Sequence, residues 1–454
     1  MRTYLRFLRL RGKMLFDRIG NEQIKRNILQ AVPFWIGAVL TGLAAVVYAK
    51  LFAWSEALLQ WIVEYNALLL FLFTPVAFVL SWWLVERYAP YAKGSGIPQV
   101  MASIELATPR ERFKIKQLLN LKIIGIKVLS SMVLVSGGGA VGREGPTIQI
   151  AGSIFRFVHR MLPRWWPRIS IQNMIMTGAA AGLAAAFNTP LGGIVFAVEE
   201  LARVHFNYFK TALFTAVIVA GLTAQTLAGS YLFLGYPNTH GVTMGMVVPV
   251  LAVAIICGLL SSYLSAAMLR ISRFRSRLRK SSHQILFLIL TSLIIASLAY
   301  FVNYEILGSG KSLMERLLFS ENKSEPWYMP LFRMVGPALS FTSGGAGGIF
   351  APALSAGASF GAFFAGIFQY SAEQTNVLIL AGMVAFLTGI TRAPFTSAII
   401  VLEMTDRHSL IFFLMMASMV ASLSAFVLRR KGLYESLKNN YLHELGKLRK
   451  RKAP

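Results

Sequence analysis

Long apolar runs decide what this chain can fold into. They lie near residues 28–48, 67–84, 123–141, 171–198, 211–235, 246–268, 284–302, 347–369, 376–402 and 411–428, and they carry almost no charge. Several exceed the roughly 18–20 apolar residues that a helix needs to cross a bilayer. One such run fits a buried core helix. This many specify an all-α polytopic membrane protein. Composition agrees: of 454 residues, 56% are hydrophobic and 14% charged, against about 25% charged in a typical soluble chain.

The charge falls between the runs and is strongly positive, 45 Lys+Arg against 19 Asp+Glu. A soluble protein with that balance would suggest nucleic acid. Here no basic stretch sits in a domain with its own core, so nucleic acid is not an expected partner. Cytoplasmic loops of membrane proteins carry excess Lys and Arg. The segment 1–27 holds Arg2, Arg6, Arg9, Arg11, Lys13, Arg18, Lys25 and Arg26, and the tail 429–454 ends in Lys447, Arg449, Lys450, Arg451 and Lys452. Both termini therefore read as cytoplasmic, and Arg270–Lys280 as another cytoplasmic loop. The first span reads as an uncleaved signal anchor. The expected setting is the cell (inner or plasma) membrane, with lipid bilayer all round. The lone cysteine, Cys257, excludes an intrachain disulfide, and the six histidines show no metal-binding spacing. No paired nucleophile and base stands out in the spans, so neither an enzyme nor a bound cofactor or metal is expected.

Residues 28–428 form one transmembrane domain containing an internal repeat, in halves of approximately 28–210 and 211–428. Gly142-Arg143-Glu144-Gly145-Pro146 follows a glycine run, as does Gly348-Ile349-Phe350-Ala351-Pro352, and the prolines differ by 352 − 146 = 206. Gly178, Pro190 and Glu199 recur as Gly382, Pro394 and Glu403, each 204 later. Repeated halves are typical of transporters whose site lies where they meet. Spacing alone leaves parallel and inverted repeats open.

Three segments have the parts of an anion site: Gly94-Ser95-Gly96-Ile97-Pro98, Gly142–Pro146 and Gly348–Pro352. Glycines leave the backbone open to close approach. Proline suits the first turn of a new helix. A helix N-terminus has free N–H groups and about half a positive charge, which suits an anion. Glu144 lies within the second segment, and a carboxylate in a membrane interior is costly and usually functional. It would compete with an anion for the same donors, and protonation would free the site. Glu199 has a repeat partner in Glu403, which suggests a shared structural role, capping or pairing. Glu200 aligns with Met404 and has no partner. As an extra carboxylate near the basic loop that begins with Arg203, it is a candidate proton relay. Tyr434 follows the last span, in KGLYESL, and by spacing alone reads as an interfacial tyrosine.

GSGIP at 94–98, GREGP at 142–146 and GGIFAP at 347–352 resemble the signature segments of the CLC family of chloride channels and chloride/proton exchangers. The likeness continues through AAAFNTPLGGIVFAVEEL (184–201), TRAPFTSAIIVLEMTD (391–406) and KGLYESL (431–437). The resemblance implies a homodimer in which each subunit has its own pore and two inverted halves, with helix N-termini aimed at chloride. It makes Ser95, Gly96, Ile97, Ile349, Phe350 and Tyr434 the chloride-binding set, Glu144 the gate and proton carrier, and Glu200 the inner proton-transfer residue. Chloride/proton antiport is the implied activity. The alternative is a passive chloride channel of the same fold, and the carboxylate at Glu200 favours exchange. The intact GSGIP argues for a chloride rather than a fluoride site. Gln99 departs from the glutamate that many members carry there, which bears on local hydrogen bonding. The family's C-terminal nucleotide-sensing domains are not matched, so regulation by that route is not expected.

Overall fold

A computed structural model describes residues 22–163, 165–201, 210–229, 232–241, 243–278 and 280–450, with side chains described from 28 to 446. The first 21 residues, the start of the Arg203 loop and the last four residues lie outside these.

Helices and turns make up the described residues, and eight of the helices are long and apolar enough to cross a membrane. The first, Glu22–Asn66, runs for 45 residues. At about 1.5 Å per residue this exceeds a hydrocarbon core about 30 Å thick, so it spans and overhangs. Burial sorts the rest. The most apolar stretch of Ala372–Thr391 is 94% buried, whereas that of Ser281–Phe301 is 33% buried. The former is a core element and the latter faces lipid.

The core is made of small residues that let helices approach. On Ile171–Phe187, Gly178 and Gly182 rest on Phe155 and Ala151 of Glu144–Met161. On Phe350–Ile367, Gly357 and Gly361 rest on the backbone of Gly382 and Leu378 in Ala372–Thr391. Both pairs are four residues apart. Lipid offers no hydrophobic drive between helices, so close backbone packing through small-xxx-small faces must hold them.

The repeat is visible in backbone angles. Asn188 (φ 58) ends one helix and Arg392 (φ 67) its counterpart, both left-handed. Each is followed by an extended residue, Thr189 (φ −126, ψ 81) or Ala393 (φ −119, ψ 81), then by Pro190 or Pro394 at the start of a short helix. The residue before proline is kept out of the helical region. This is why the runs 171–198 and 376–402 each become two elements: Ile171–Phe187 with Pro190–Phe196, and Ala372–Thr391 with Pro394–Thr405. The halves meet directly. Gly142 and Gly348 exchange backbone hydrogen bonds of 2.8 and 2.7 Å as an antiparallel bridge, so the equivalent segments run in opposite directions.

Two expectations change. The basic run Arg270–Lys280 is no simple loop, because the helix Val247–Arg277 takes in its first eight residues. Tyr434 is not interfacial. It lies on the helix Leu433–Lys450 and is 1% exposed. That helix docks on Ile97–Glu105 through Lys438 Nζ to Glu105 (2.8 Å) and through Gln99 Nε2 to the Tyr441 hydroxyl (3.1 Å), so the C-terminal segment is built into the domain.

Candidate functional site

Three helices begin inside the protein: Ile97–Glu105, Glu144–Met161 and Phe350–Ile367. None has a side-chain cap on its first N–H groups, so each keeps free donors and a fractional positive charge. The three starts converge. Gly96 (φ 101) takes a left-handed turn into the first, and a methyl there would run into Gln149 and the carbonyl of Gly145. A methyl on Gly145 would collide with Ser95 Oγ. One on Gly348 would come within 3.0 Å of the Gly145 nitrogen. Glycine is required at these points because three backbones share one small volume.

Ser95, Ile97, Ile349, Phe350 and Tyr434 surround this volume, each 1% exposed or less. The rings of Phe350 and Tyr434 stack with centroids 6.1 Å apart and planes at 15°. Phe187 also packs on Phe350, tilted at 46° with ring centroids 6.0 Å apart. The hydroxyls of Ser95 and Tyr434 are near enough to interact, yet neither makes a hydrogen bond of ordinary geometry among the described residues. Two buried hydroxyl donors without acceptors are costly. Close to each other beside uncapped helix starts, they suit a small desolvated anion.

Glu144 opens the second helix and is 2% exposed. One carboxyl oxygen has no partner among the described residues. The group lies in reach of the Ala351 backbone N–H in the first turn of the Phe350 helix, with Arg143 beside it. A carboxylate thus points at the donors that would hold an anion. Glu200 lies on a π-helical turn, Ala197–Leu201, that ends the Pro190 helix. Such turns widen a helix and are frequent at functional sites. Tyr434 feels the charges of both Glu200 and Glu144, so it lies in range of each.

Glu199 faces elsewhere. Its carboxyl accepts from Phe395 N (3.1 Å), Thr396 N (2.7 Å) and Thr396 Oγ1 (2.6 Å), at the start of the Pro394 helix. Glu403 does the same in reverse, accepting from Leu191 N (3.0 Å) and Gly192 N (2.6 Å) at the start of the Pro190 helix. Each short helix is capped by the other repeat's glutamate.

Some supporting residues escaped sequence reasoning. Lys127 is fully buried, and its ammonium donates to the carbonyls of Ala92 (2.9 Å) and Gly94 (2.8 Å), tethering the segment before Ser95. A lone charge within the run 123–141 was the available signal. Gln99 did not escape: the sequence pointed to it for local hydrogen bonding, and its Nε2 donates to the carbonyls of Tyr91 (3.1 Å) and Lys93 (2.7 Å) as well as to Tyr441. Gln149 Nε2 donates to Tyr91 O (3.0 Å) and Leu118 O (2.9 Å). A cavity of about 450 Å³ reaches Gly94 and Ser95 from the side of Arg275. Among the described residues no three metal-ligating side chains cluster.

Residues 76–425 match the family described as voltage gated chloride channel. The chain is 31% identical over 445 residues to the H(+)/Cl(-) exchange transporter ClcA of Salmonella arizonae, covering 94% of this chain and 91% of that protein. Its counterpart in Salmonella paratyphi B is 31% identical over 416 residues, covering 88% and 85%. Among solved structures, a slow cyanobacterial Cl-/H+ antiporter superposes with a TM-score of 0.78 at 24% identity, covering 91% of this chain and 98% of that one. A CLC-type fluoride/proton antiporter superposes with a TM-score of 0.74 at 20% identity, covering the same shares. At these identities the two structures speak for the fold.

Proposed function

The chain belongs to the voltage gated chloride channel family, and from that premise we propose that it exchanges chloride for protons across a cell membrane. The observation that carries this reading is Glu144, a buried carboxylate at the start of a broken helix, aimed at the donors of a second broken helix. A permanently charged group there would only block. A titratable one alternates. Ionised, it takes the donors and excludes the anion. Protonated, it releases them, and the proton moves with the side chain. Ser95 Oγ, Tyr434 Oη and the backbone at Gly96, Ile97, Ile349 and Phe350 then hold chloride. The site has partial rather than full positive charges at the anion, which keeps binding weak enough for release.

Glu200 serves as the inner proton relay in this reading. Its support is the π turn that carries it and its electrostatic reach to Tyr434, which is also in reach of Glu144. The relatives named above as exchange transporters favour exchange over a passive channel.

The same reading puts both termini in the cytoplasm of a plasma-membrane protein and pairs two copies as a homodimer. Support for pairing comes from the short helices. The Pro190 helix has 7 residues and the Pro394 helix 12, too few to span lipid. Glu199 and Glu403 are only half-buried in a single chain, while Leu191, Val198 and Phe395 beside them are exposed. Carboxylates and broken helices do not face lipid uncovered; a second copy covers them.

The test is chloride flux from proteoliposomes with simultaneous pH recording. Uphill proton movement driven by a chloride gradient is expected. Chloride flux that leaves the pH untouched would overturn the exchange reading.

A further inference from the structure

Three helices that pack on one another begin at a common level, and a second cavity lies among their starts. The apolar stretch of the first helix begins at Ile28, and the helices Ile171–Phe187 and Lys210–Ala228 are apolar from their own beginnings. The cavity measures about 410 Å³. Its walls are Gln30 and Trp35 on the first helix, Arg168 and Asn173 around the start of the second, and Thr211 and Thr215 on the third. Polar side chains gathered where three apolar stretches start place it at the edge of the hydrocarbon. It is separate from the anion path, since none of Ser95, Glu144, Glu200 or Tyr434 lines it.

The walls are tied to each other. Trp166 Nε1 donates to Leu29 O at 2.7 Å, which fastens the segment before Ile171 to the first helix. Trp35 Nε1 donates to Thr215 Oγ1 at 3.0 Å, which fastens the first helix to the third. Indoles with a satisfied N–H are the usual anchors at a membrane edge. The space between the walls is therefore framed by fixed contacts.

The lining is chemically selective. Among the described residues, Arg168 is the one charged side chain on the wall, and no carboxylate faces it there. Nor does Arg168 enter any ion pair of the described residues. A guanidinium is a rigid fork that matches two oxygens of a phosphate. Gln30, Asn173 and Thr211 are neutral and can both donate and accept, which suits hydroxyl groups. A headgroup carrying an ammonium would find no carboxylate to meet it. Trp35, Val39 and Leu43, four residues apart on the first helix, form an exposed apolar stripe that leads from the cavity along the membrane-facing side. Basic pockets between membrane helices bind anionic headgroups.

We propose that this cavity holds the headgroup of a phosphatidylglycerol-type phospholipid. The phosphate sits on Arg168, the glycerol hydroxyls lie among Gln30, Asn173 and Thr211, and the acyl chains follow the stripe of Trp35, Val39 and Leu43. The site requires a membrane and no particular transported ion, so it stands apart from the exchange reading. A lipid held at the starts of three helices binds the folded chain and stabilises it by mass action.

The experiment is thermal unfolding of the full chain, delipidated in a neutral detergent, during titration with dioctanoyl phosphatidylglycerol. A saturable rise in Tm is expected for the wild type. R168Q is expected to need about tenfold more lipid to reach half of its rise, the loss of one charge-assisted hydrogen bond. R168K keeps the charge without the fork and falls between. T211W puts an indole into the cavity from an exposed position and removes the saturable rise while leaving the charge in place. It also carries the test if R168Q does not accumulate. R160Q removes an exposed charge that does not line the cavity and titrates like the wild type. Dioctanoyl phosphatidylethanolamine gives a smaller rise, and sodium phosphate at matched ionic strength gives none. Equal rises with the two lipids overturn the proposal. So does an unshifted titration in both R168Q and T211W, or the R168Q shift reproduced in R160Q. A rise with phosphate alone would make the ligand a free anion and overturn the lipid.

Discussion

A methyl group at position 145 would occupy the space of Ser95 Oγ, and that single clash shows how tightly residues are set around the anion path. Gly145→Ala must either push the Ser95 hydroxyl aside or shift the start of the Glu144 helix. Overpacking of this kind costs about 1–3 kcal/mol, a tolerable share of a folding free energy. The variant should therefore accumulate near wild-type levels and lose most chloride transport. Full transport in flux assays would show that Ser95 is not at the narrow point. Glu144→Gln works on chemistry instead of space. The amide is nearly isosteric and cannot ionise, so it resembles the protonated acid. Chloride movement should persist and proton coupling should vanish, read by simultaneous chloride and pH electrodes. Chloride-driven proton pumping that survives in this variant would remove Glu144 from the mechanism.

At the scale of elements, adjacent residues separate two roles. Glu199 accepts three hydrogen bonds at the start of the Pro394 helix, and Glu403 two at the start of the Pro190 helix. Bonds to a charged group contribute about 1.5–3 kcal/mol each, so this exchange of caps is a main tie between the halves. Glu199→Gln keeps one acceptor oxygen and puts a donor where an acceptor stood. Folded yield should fall while the surviving protein still couples. Glu200→Gln removes the inner titratable group and should leave yield intact while proton movement stops. Fluorescence-detected size exclusion and proteoliposome flux on both variants read the difference, and the reverse pattern would exchange the two assignments.

The same elements mark what sequence can convey. Prolines and glutamates recurring 204 residues apart announced the paired broken helices, because proline's effect on its own backbone is local. Glu199 was legible as structural through its repeat partner, but its ligands were not. They lie 196 and 197 residues away. Gln99 meets Tyr441 across 342 residues and Lys127 reaches Gly94 across 33. Apolar patterning reports that a residue is buried and says nothing of what it is buried against. Tyr434 illustrates the cost. Its spacing fits a membrane interface, and only the docking of the last helix brings it against Phe350.

For the whole molecule, the question is whether two copies act together. The side chains of the candidate site are closed off without a second copy. Ser95, Glu144, Phe350 and Tyr434 are all 2% exposed or less before any partner is added. Pairing would instead cover the faces of the Pro190 and Pro394 helices, where Leu191, Val198 and Phe395 are exposed. A site finished within one chain would need a partner for coverage in lipid and not for chemistry. Two genes fused head to tail, one carrying Glu144→Gln, should therefore retain about half of the wild-type proton movement per fused dimer. This is the arithmetic of two independent sites with no coupling free energy between them. Chloride movement should remain through both. The fused wild type supplies the reference, and the double variant the zero. Proton movement falling to that zero with a single altered copy would mean that the gates move together, and the site could not then be described within one chain. Proton movement equal to the reference would mean that the altered copy is bypassed, which contradicts a role for Glu144 as the carrier.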